Sequence, residues 1–587
     1  MADLMLACTP SGRPPIAGGR LSRAALRLAP QGGLPPRRPL VLQQGQVTVA
    51  IANGGAEGVR LHGAAQAAGA HEEARGAALI GGLFGRPADW WRAGADAPDG
   101  TYALLRWEDD VVEALTDLCG SRALWFALTD RAFVASTSQR ALVMLLGDLQ
   151  LEPEATACFL SSGTLGPDVS WDARARRLPP DSRLKLDRRS WTLTLHSGSF
   201  ELNTGADRGA DVDGLKTAMK ETCASLDLDM TRWVLPLSGG RDSRALLAFL
   251  LQNGLRPRCV TWTTRASLRN PLSDASVARL LARRLGVEHE LLYLDADDLD
   301  LDLVLSRFVA ADEGCNDEIV GYLDGFAMWR GLASSGVEGI IRGDQSFGVG
   351  SRPMLAEDGR RQVGGATPAD YPEDHLLRRL ALAGQAWPDR LRLRDGEGLI
   401  DYRLRLSQNG FIPIKLAGLN HAKSQYVELV NPHLSRRVLG VVRALPPELR
   451  KGRAAYLRIV DGIAPLVPYA RASSTPSSPG LLRRPEMLGL LVAELTGPAM
   501  RQVLSEDARL QVLTGLSVAA GERPGVRKRL RSLVKEASGA LPSRFAERLA
   551  PAWKGPEALS ATHLAFRCLL AARTIALLQK DARDADT

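Results

Sequence analysis

Between Gln46 and about Phe200, apolar and polar residues alternate in short runs separated by turn residues. The runs are VTVAIA (Val47–Ala52), TYALLRW (Thr101–Trp107), DVVEALTD (Asp110–Asp117), ALWFALTD (Ala123–Asp130), RAFVAST (Arg131–Thr137), SRLKLD (Ser182–Asp187) and WTLTLHS (Trp191–Ser197). A period of two at this spacing predicts hairpins and stacked antiparallel sheets. Residues 1–45, rich in Pro, Gly and Arg, read as a loosely structured segment. The polar stretch Asn203–Asp213 separates this half from one in which strands alternate with helical runs, the pattern of a parallel α/β sheet. From about Tyr371 the helical period dominates, while Ala356–Pro372 and Arg471–Pro479 read as flexible loops. The predicted units are therefore residues 1–45, a β-rich domain over 46–205 and an α/β domain with helical additions over 206–587, with no internal repeat.

The sharpest local pattern is WVLPLSGGRDSRALLAFLLQNG, residues 233–254. A short apolar strand runs into Ser238-Gly239-Gly240-Arg241-Asp242-Ser243. A helix with a broad apolar face follows (Leu246, Leu247, Phe249, Leu250, Leu251), and Gly254 is a natural stop. A strand feeding a glycine turn and a helix N-terminus offers free N–H groups and the positive dipole end to an anion. Two glycines let the backbone close on phosphates, and Ser238 and Ser243 add hydroxyl donors. Asp242 would repel a phosphate directly, so it is a candidate ligand for Mg2+ held against pyrophosphate. No GxxxxGK[ST] is present, so this is not a loop for γ-phosphoryl transfer.

Arg258–Thr264 predicts the next strand, Ser273–Leu285 a helix and Glu288–Leu294 a third strand, giving βαβαβ with right-handed crossovers. Ligands of such sheets lie beyond the strand C-termini. That places adenine near Val260 and Thr261, and the phosphates against Leu237–Ser243. A second turn, Ile340-Ile341-Arg342-Gly343-Asp344-Gln345-Ser346-Phe347-Gly348, follows another apolar strand. Gly343 and Asp344 join the nucleotide set, and Asp242 with Asp344 supplies the two carboxylates for Mg2+.

Composition narrows the class without changing this picture. The 587 residues exceed one core, and 45% hydrophobic with 24% charged residues is ordinary for a globular chain. No run approaches eighteen uninterrupted apolar residues and the first thirty lack a signal-peptide core, so no membrane partner and a cytoplasmic location are expected. Seven scattered cysteines and eight dispersed histidines form no zinc or disulfide pattern. The net charge of +8 admits an anionic partner, but the densest basic run, Arg523–Lys535, has no interleaved aromatics and reads as a solvated helix face rather than a nucleic-acid site.

The 238–243 run resembles the SGGxDS loop of the N-type ATP pyrophosphatases, which cleave between the α and β phosphates. With the 343–348 turn it resembles the synthetase domain of the asparagine synthetase family, where Gln345 replaces the acid of the family's GDE-x-FG turn. Asn431-Pro432-His433-Leu434 sits where the family has a Pro-Phe-Leu-Asp element. KGRAAYLR (Lys451–Arg458) falls where it has a catalytic lysine, with Ala454 at that position; Lys451 is the first candidate and Arg453 the second. Asp117–Trp125, Ser136–Leu142, Leu178-Pro179-Pro180 and Asn53-Gly54 resemble the family's amino-terminal half. The resemblance implies an N-terminal-nucleophile-hydrolase-like αββα sandwich, here a class II glutamine amidotransferase-like domain, preceding a PP-loop synthetase. A glutaminase there needs a Cys at the mature N-terminus, as its free amine is the base. Met1 is followed by Ala2, and Cys8 becomes terminal only if seven residues are removed, in a context unlike the start of a buried strand.

Relatives without that Cys include β-lactam synthetases and the macrolactam synthetases of lasso peptides, whose nucleophile is a substrate amine. The resemblance then implies an enzyme using ATP and Mg2+ in two steps. A carboxylate attacks the α-phosphorus and releases pyrophosphate, and an amine then attacks the acyl-adenylate and expels AMP. Residues 349–372 are a candidate lid against water. A Tyr–Glu pair, as in β-lactam synthetases, would be Tyr322 with Glu313 or Glu318. A peptide macrolactam is favoured over a β-lactam, because Ile341 or Arg342 stands where β-lactam synthetases carry a Tyr. Its partners would be a peptide or small carboxylate/amine substrate and a peptidase acting on the precursor peptide. An asparagine synthetase and a non-catalytic nucleotide-binding scaffold are the alternatives.

Overall fold

Why DLMLAC forms a strand is clear from its two covered faces: in β1 (Asp3–Cys8) all six residues are buried. Leu4, Leu6 and Cys8 face one cluster and Met5 and Ala7 another. A strand sandwiched this way reads as a continuous apolar run without alternation. The computed structural model describes residues 3–584 except 31–33, 35–36, 54–58, 63–74, 86, 203–209, 295–299, 349–354, 465–466, 476–477 and 522–558.

The segment expected to be loose thus supplies β1, the helix α1 (Gly18–Arg27) and β2 (Leu40–Gln44). With β3 (Val47–Ala52), β8 (Trp125–Leu128), β9 (Phe133–Ser136) and β10 (Ala175–Arg177) they form a sheet of order β10-β8-β9-β1-β3-β2. Here β1 is antiparallel to both β3 and β9. A second antiparallel sheet contains β4 (Val59–His62), β5 (Gly76–Leu83), β6 (Gly100–Glu108), β7 (Val111–Thr116), β11 (Ser182–Asp187) and β12 (Thr192–Ser197), ordered β12-β11-β7-β6-β5-β4. Leu4, Val49 and Ile51 of the first sheet pack against Ile80, Leu105 and Leu184 of the second. The first sheet's outer face is covered by α1 and α2 (Gln139–Leu146).

After α3 (Pro153–Ser162) and α4 (Val212–Ala224) comes a five-stranded parallel sheet. It contains β13 (Trp233–Pro236), β14 (Arg258–Thr263), β15 (His289–Tyr293), β16 (Gly339–Ile341) and β17 (Glu428–Val430), in the order β15-β14-β13-β16-β17. One face packs on α4, α5 (Asp242–Gln252) and α6 (Asp274–Leu285), through Met219, Leu246 and Leu281. The other packs on α7 (Leu301–Asp312), through Val304 and Phe308. The order reverses between β13 and β16, so the loops after these two strands diverge around one crevice. The edge strand β17 docks on the antiparallel sheets: Arg122 Nη2 donates to Leu429 O at 3.2 Å and Asn431 N to Thr101 Oγ1 at 3.3 Å.

Two further expectations are corrected. Ala356–Pro372 contains a helix at Ala356–Gln362 and a short turn of helix at Pro368–Asp370. Glu357 and Asp358 begin the helix and Arg360 and Arg361 end it, matching its dipole, and Arg360 pairs with Asp370. In Arg471–Pro479, a helical turn begins at Ser478. Gly54, the basic run Arg523–Lys535 and 349–354 of the expected lid lie outside the described residues. The helix Ala561–Arg583 is long and apolar enough to cross a membrane (mean hydropathy 1.3), but 67% of that window is buried, against α2, α3 and α7.

Candidate functional site

At the switch point the expected phosphate loop leaves β13 and enters α5. Arg241 precedes α5 and its side chain makes no capping hydrogen bond to the first turn. Ser243 Oγ accepts from Ser238 N at 3.0 Å and lies 2.9 Å from Ser238 Oγ, while Gly240 N donates to Ser238 Oγ at 3.2 Å. The turn is therefore braced by its own hydroxyls. Gly239 N donates to Asp274 Oδ1 at 3.0 Å, and burial raises the Asp274 carboxyl although that N–H opposes the shift. Beneath the loop, Leu237 N donates to Val260 O at 2.8 Å and Thr261 Oγ1 to Leu237 O at 2.5 Å. His289 Nε2 lies 2.8 Å from Thr261 Oγ1, and burial, helped by Arg279, pushes the imidazole down to about 4. With the Thr261 proton committed to Leu237 O, neutral His289 donates from Nε2, which ties β15 to the loop.

The second turn comes up against the first. A Cβ on Gly343 would lie 3.1 Å from Asp242 C and 3.2 Å from Ser243 N, so a larger residue would press on the backbone of the first loop. Gly348 (φ +137°) closes the turn, where a Cβ would meet Arg450 O at 2.1 Å. Asp344 is held by Arg342 through Nε at 3.0 Å and Nη2 at 2.9 Å, and by Asn431 Nδ2 at 3.2 Å. Burial raises this carboxyl, but Arg342 more than offsets it and holds it low. Asp242 Oδ1 accepts from Tyr456 Oη at 2.9 Å. Burial and that aspartate push the Tyr456 hydroxyl well up, so it remains a donor. The Phe347 ring packs between Tyr456 (4.8 Å between centroids) and His433 (5.2 Å). Lys423, half-buried near Arg342 and Asp344, is pushed down to about 7 by burial and then by Arg342.

Among the described residues, no group of three or more His, Cys, Asp and Glu side chains could hold a metal. Two carboxylates with substrate phosphates are nevertheless the usual complement for Mg2+. Asn431 Oδ1 is buried without a hydrogen-bond partner beside Asp344, an oxygen that suits a hard cation. The residues present therefore fit Mg2+ with Asp242 and Asp344 as carboxylate ligands, although the charge of Asp344 is already balanced by Arg342.

The remaining sequence candidates divide. Arg453 (φ +60°) begins the helix Ala454–Ile463 and its charge acts on Tyr456, while Lys451 is exposed one residue beyond Arg450. The Tyr322–Glu313 pair is corrected. Tyr322 Oη donates to Leu419 O at 3.2 Å, and its ring stacks on Phe326 at 4.5 Å. Glu313 accepts from Ser138 Oγ at 2.5 Å and Gln139 N at 2.6 Å, serving the N-terminus of α2. Glu318 precedes the short helix Ile319–Tyr322 and its carboxyl is raised, chiefly by burial. Cys8 ends β1, and burial pushes its thiol up to about 11. Exposing it as an N-terminal nucleophile would remove β1, a strand paired on both sides.

Tyr456 and Lys423 lie beside the two candidate aspartates, and the sequence pattern does not single them out. Tyr456 lies inside the KGRAAYLR run and could be weighed there; for Lys423 the helical period alone gives no sign that it turns inward.

No protein-family model and no curated protein matches the chain. Among solved structures it is similar to an allosteric regulatory enzyme of purine biosynthesis, at 11% identity over 50% of this chain and 80% of that one, with a TM-score of 0.21. It is also similar to glutamine phosphoribosylpyrophosphate amidotransferase from B. subtilis complexed with ADP and GMP, at 12% identity over 50% of this chain and 65% of that one, just under two thirds, again with a TM-score of 0.21. At such identity and TM-score these likenesses carry no argument about activity; the mixed architecture of two antiparallel sheets and one parallel sheet rests on the chain's own strand order.

Proposed function

We propose that the chain is an ATP-dependent carbon–nitrogen ligase that activates a carboxylate as its adenylate and closes it with an amine. The observation that carries this reading is the contact of two loops at one switch point, with Gly343 against the backbone of Asp242. The uncapped entrance of α5 and the Ser238 and Ser243 hydroxyls suit a pyrophosphate leaving group. Asp242 and Asp344 would hold Mg2+, which when bound supplies charge neutralisation for that group.

The chain's own residues do the rest. Tyr456 orients Asp242, and Arg342 and Asn431 orient Asp344. Arg453, with Lys451 behind it, is the candidate cation for charge developing on the adenylate oxygens. Holding the amine beside the activated carbonyl supplies much of the rate. Within this class we favour an intramolecular macrolactam on a peptide, whose precursor would be cut by a partner peptidase. Glutamine-dependent asparagine synthesis is disfavoured by the position of Cys8 at the far end of β1.

The test is ATP–pyrophosphate exchange with candidate carboxylates. The reading requires exchange, AMP as the nucleotide product, and loss of both in Asp242→Asn; accumulation of ADP rejects it. A non-catalytic nucleotide-binding scaffold is the second reading. It is favoured by the engagement of both carboxylates, Asp242 by Tyr456 and Asp344 by Arg342, and predicts ATP binding without exchange.

A further inference from the structure

The loop at 238–243 commits most of its own donors within the protein. Ser238 N donates to Ser243 Oγ, Gly239 N to Asp274 Oδ1 and Gly240 N to Ser238 Oγ. What remains for an anion are the N–H groups of Arg241, Asp242 and Ser243, which donate to no acceptor among the described residues. Three neutral N–H groups beside the carboxylate of Asp242 make a thin cradle for the several negative charges of a nucleotide tail.

Two arginines at this turn have different occupations. The guanidinium carbons of Arg241 and Arg244 lie 4.0 Å and 4.2 Å from the centre of the Tyr469 ring. Arg244 is buried and donates through Nη1 to Val467 O at 2.7 Å, and through Nη2 to Pro468 O at 2.9 Å and Gly239 O at 3.4 Å. It fastens the segment of Tyr469 to the loop. Arg241 is exposed, and among the described residues no carbonyl or carboxylate accepts from its guanidinium. Its contact with the ring needs no acceptor, so N–H donors of the fork stay open to a ligand.

The platform is itself fixed. Tyr469 Oη donates to Asp461 Oδ1 at 3.3 Å, and Ala470 N donates to Gly239 O at 3.1 Å. A Cβ on Gly239 would lie 2.6 Å from Ala470 Cβ, so loop and platform are in close contact. Resting a long side chain on a fixed ring removes part of its rotamer freedom before a ligand arrives. Beside the second turn, the buried Asn431 Oδ1 and His433 Nε2 lack a hydrogen-bond partner among the described residues, as in a site that a ligand completes.

We propose that Arg241 is a phosphate anchor, its guanidinium carried on the Tyr469 ring to grip the β and γ phosphates of the nucleotide. The inference rests on the ligase reading and extends it to the grip on the leaving group. The open N–H groups lie on the backbone, and the guanidinium lies a side-chain length away on the ring. Linked phosphates engage both sets at once, which a single carboxylate does not. A guanidinium fork also matches two phosphate oxygens together.

The full chain is titrated by calorimetry with ATP, inorganic pyrophosphate and AMP, each with Mg2+ and without a carboxylate substrate. Arg241→Leu is expected to weaken ATP and pyrophosphate about ten-fold, and AMP by less than about two-fold. Arg241→Lys, a point charge without the planar fork, should leave ATP about three-fold weaker than in the parent. Tyr469→Leu keeps the cation, removes its platform and weakens ATP about three-fold. Thermal unfolding of each variant near the parent's temperature certifies its fold. ATP bound equally by parent and Arg241→Leu, equal losses for ATP and AMP, or no binding of ATP by the parent overturns the anchor. Pyrophosphate exchange is read separately. Arg241-dependent ATP binding without exchange removes the ligase and keeps the anchor, while exchange with unchanged ATP affinity in Arg241→Leu removes the anchor and keeps the ligase.

Discussion

The hydroxyl of Tyr456 donates to Asp242 Oδ1 at 2.9 Å, fixing the carboxylate of the first loop from a helix that begins more than two hundred positions later. Tyr456→Phe keeps the ring between Asp242 and Phe347 and removes only the donor. Pyrophosphate exchange is expected to slow about ten-fold, the worth of one hydrogen bond to a charged group. Asp242→Asn should cost at least about a hundred-fold. Equal rates for parent and both variants would dismiss the assignment.

Gly343→Ala places a methyl 3.1 Å from Asp242 C, where backbone rather than a flexible side chain must yield. The two loops are expected to part. ATP affinity, measured by calorimetry, should fall about ten-fold or more, with a loss of stability near 1–3 kcal/mol from overpacking. Unchanged affinity would separate the second turn from nucleotide binding.

Glu313 is a candidate base by sequence and a helix cap in the structure. Its carboxylate serves Ser138 and the first N–H groups of α2 and faces His421 Nε2 at 3.7 Å. Glu313→Ala should cost about 3 kcal/mol of stability by leaving buried groups unpaired. The folded fraction should keep its exchange rate. A specific loss of rate without loss of stability would restore the catalytic role.

Asp317 gives a pH signature. Burial raises its carboxyl, but Arg567 at 2.7 Å and His563 at 3.0 Å more than offset that and hold it at about 2, against an ordinary 3.8. A depressed carboxyl contributes fully above the unfolded value and loses its contribution as pH falls through the folded one. The parent should therefore lose about 2 kcal/mol relative to Asp317→Asn between pH 5 and pH 2, as read by denaturant titration at each pH. Parallel curves for the two proteins would contradict the pairing.

Much of this architecture was legible in the sequence wherever one face of an element is wet. Ser182–Asp187 alternates because its strand buries every second residue, and the observed β11 has the same bounds. The strand, glycine turn and helix at 233–252 were readable because each has its own local signature. Among elements covered on both faces, Val47–Ala52 and Thr101–Trp107 were read as strands, but three others were not. Leu4–Cys8 is apolar throughout, Gly76–Leu83 is diluted by glycine, and Glu428–Val430 is only three residues long. The site divided in the same way. Asp242 and Asp344 follow strands and could be placed from topology, whereas Tyr456, Asn431 and Lys423 converge on them from distant helices and turns, and no local period records that convergence. Glu313 misled because its sequence neighbourhood says nothing of Ser138 across the fold.

The helix Ala561–Arg583 carries Arg567 to Asp317 and Leu160 O, Asp581 to Arg140 and Arg573 to Glu494. Each of these contacts reaches back to a segment synthesised earlier. During translation, α2, α3 and α7 must therefore wait with an apolar flank uncovered until this later helix leaves the ribosome. The interval before it arrives leaves the nascent chain open to aggregation.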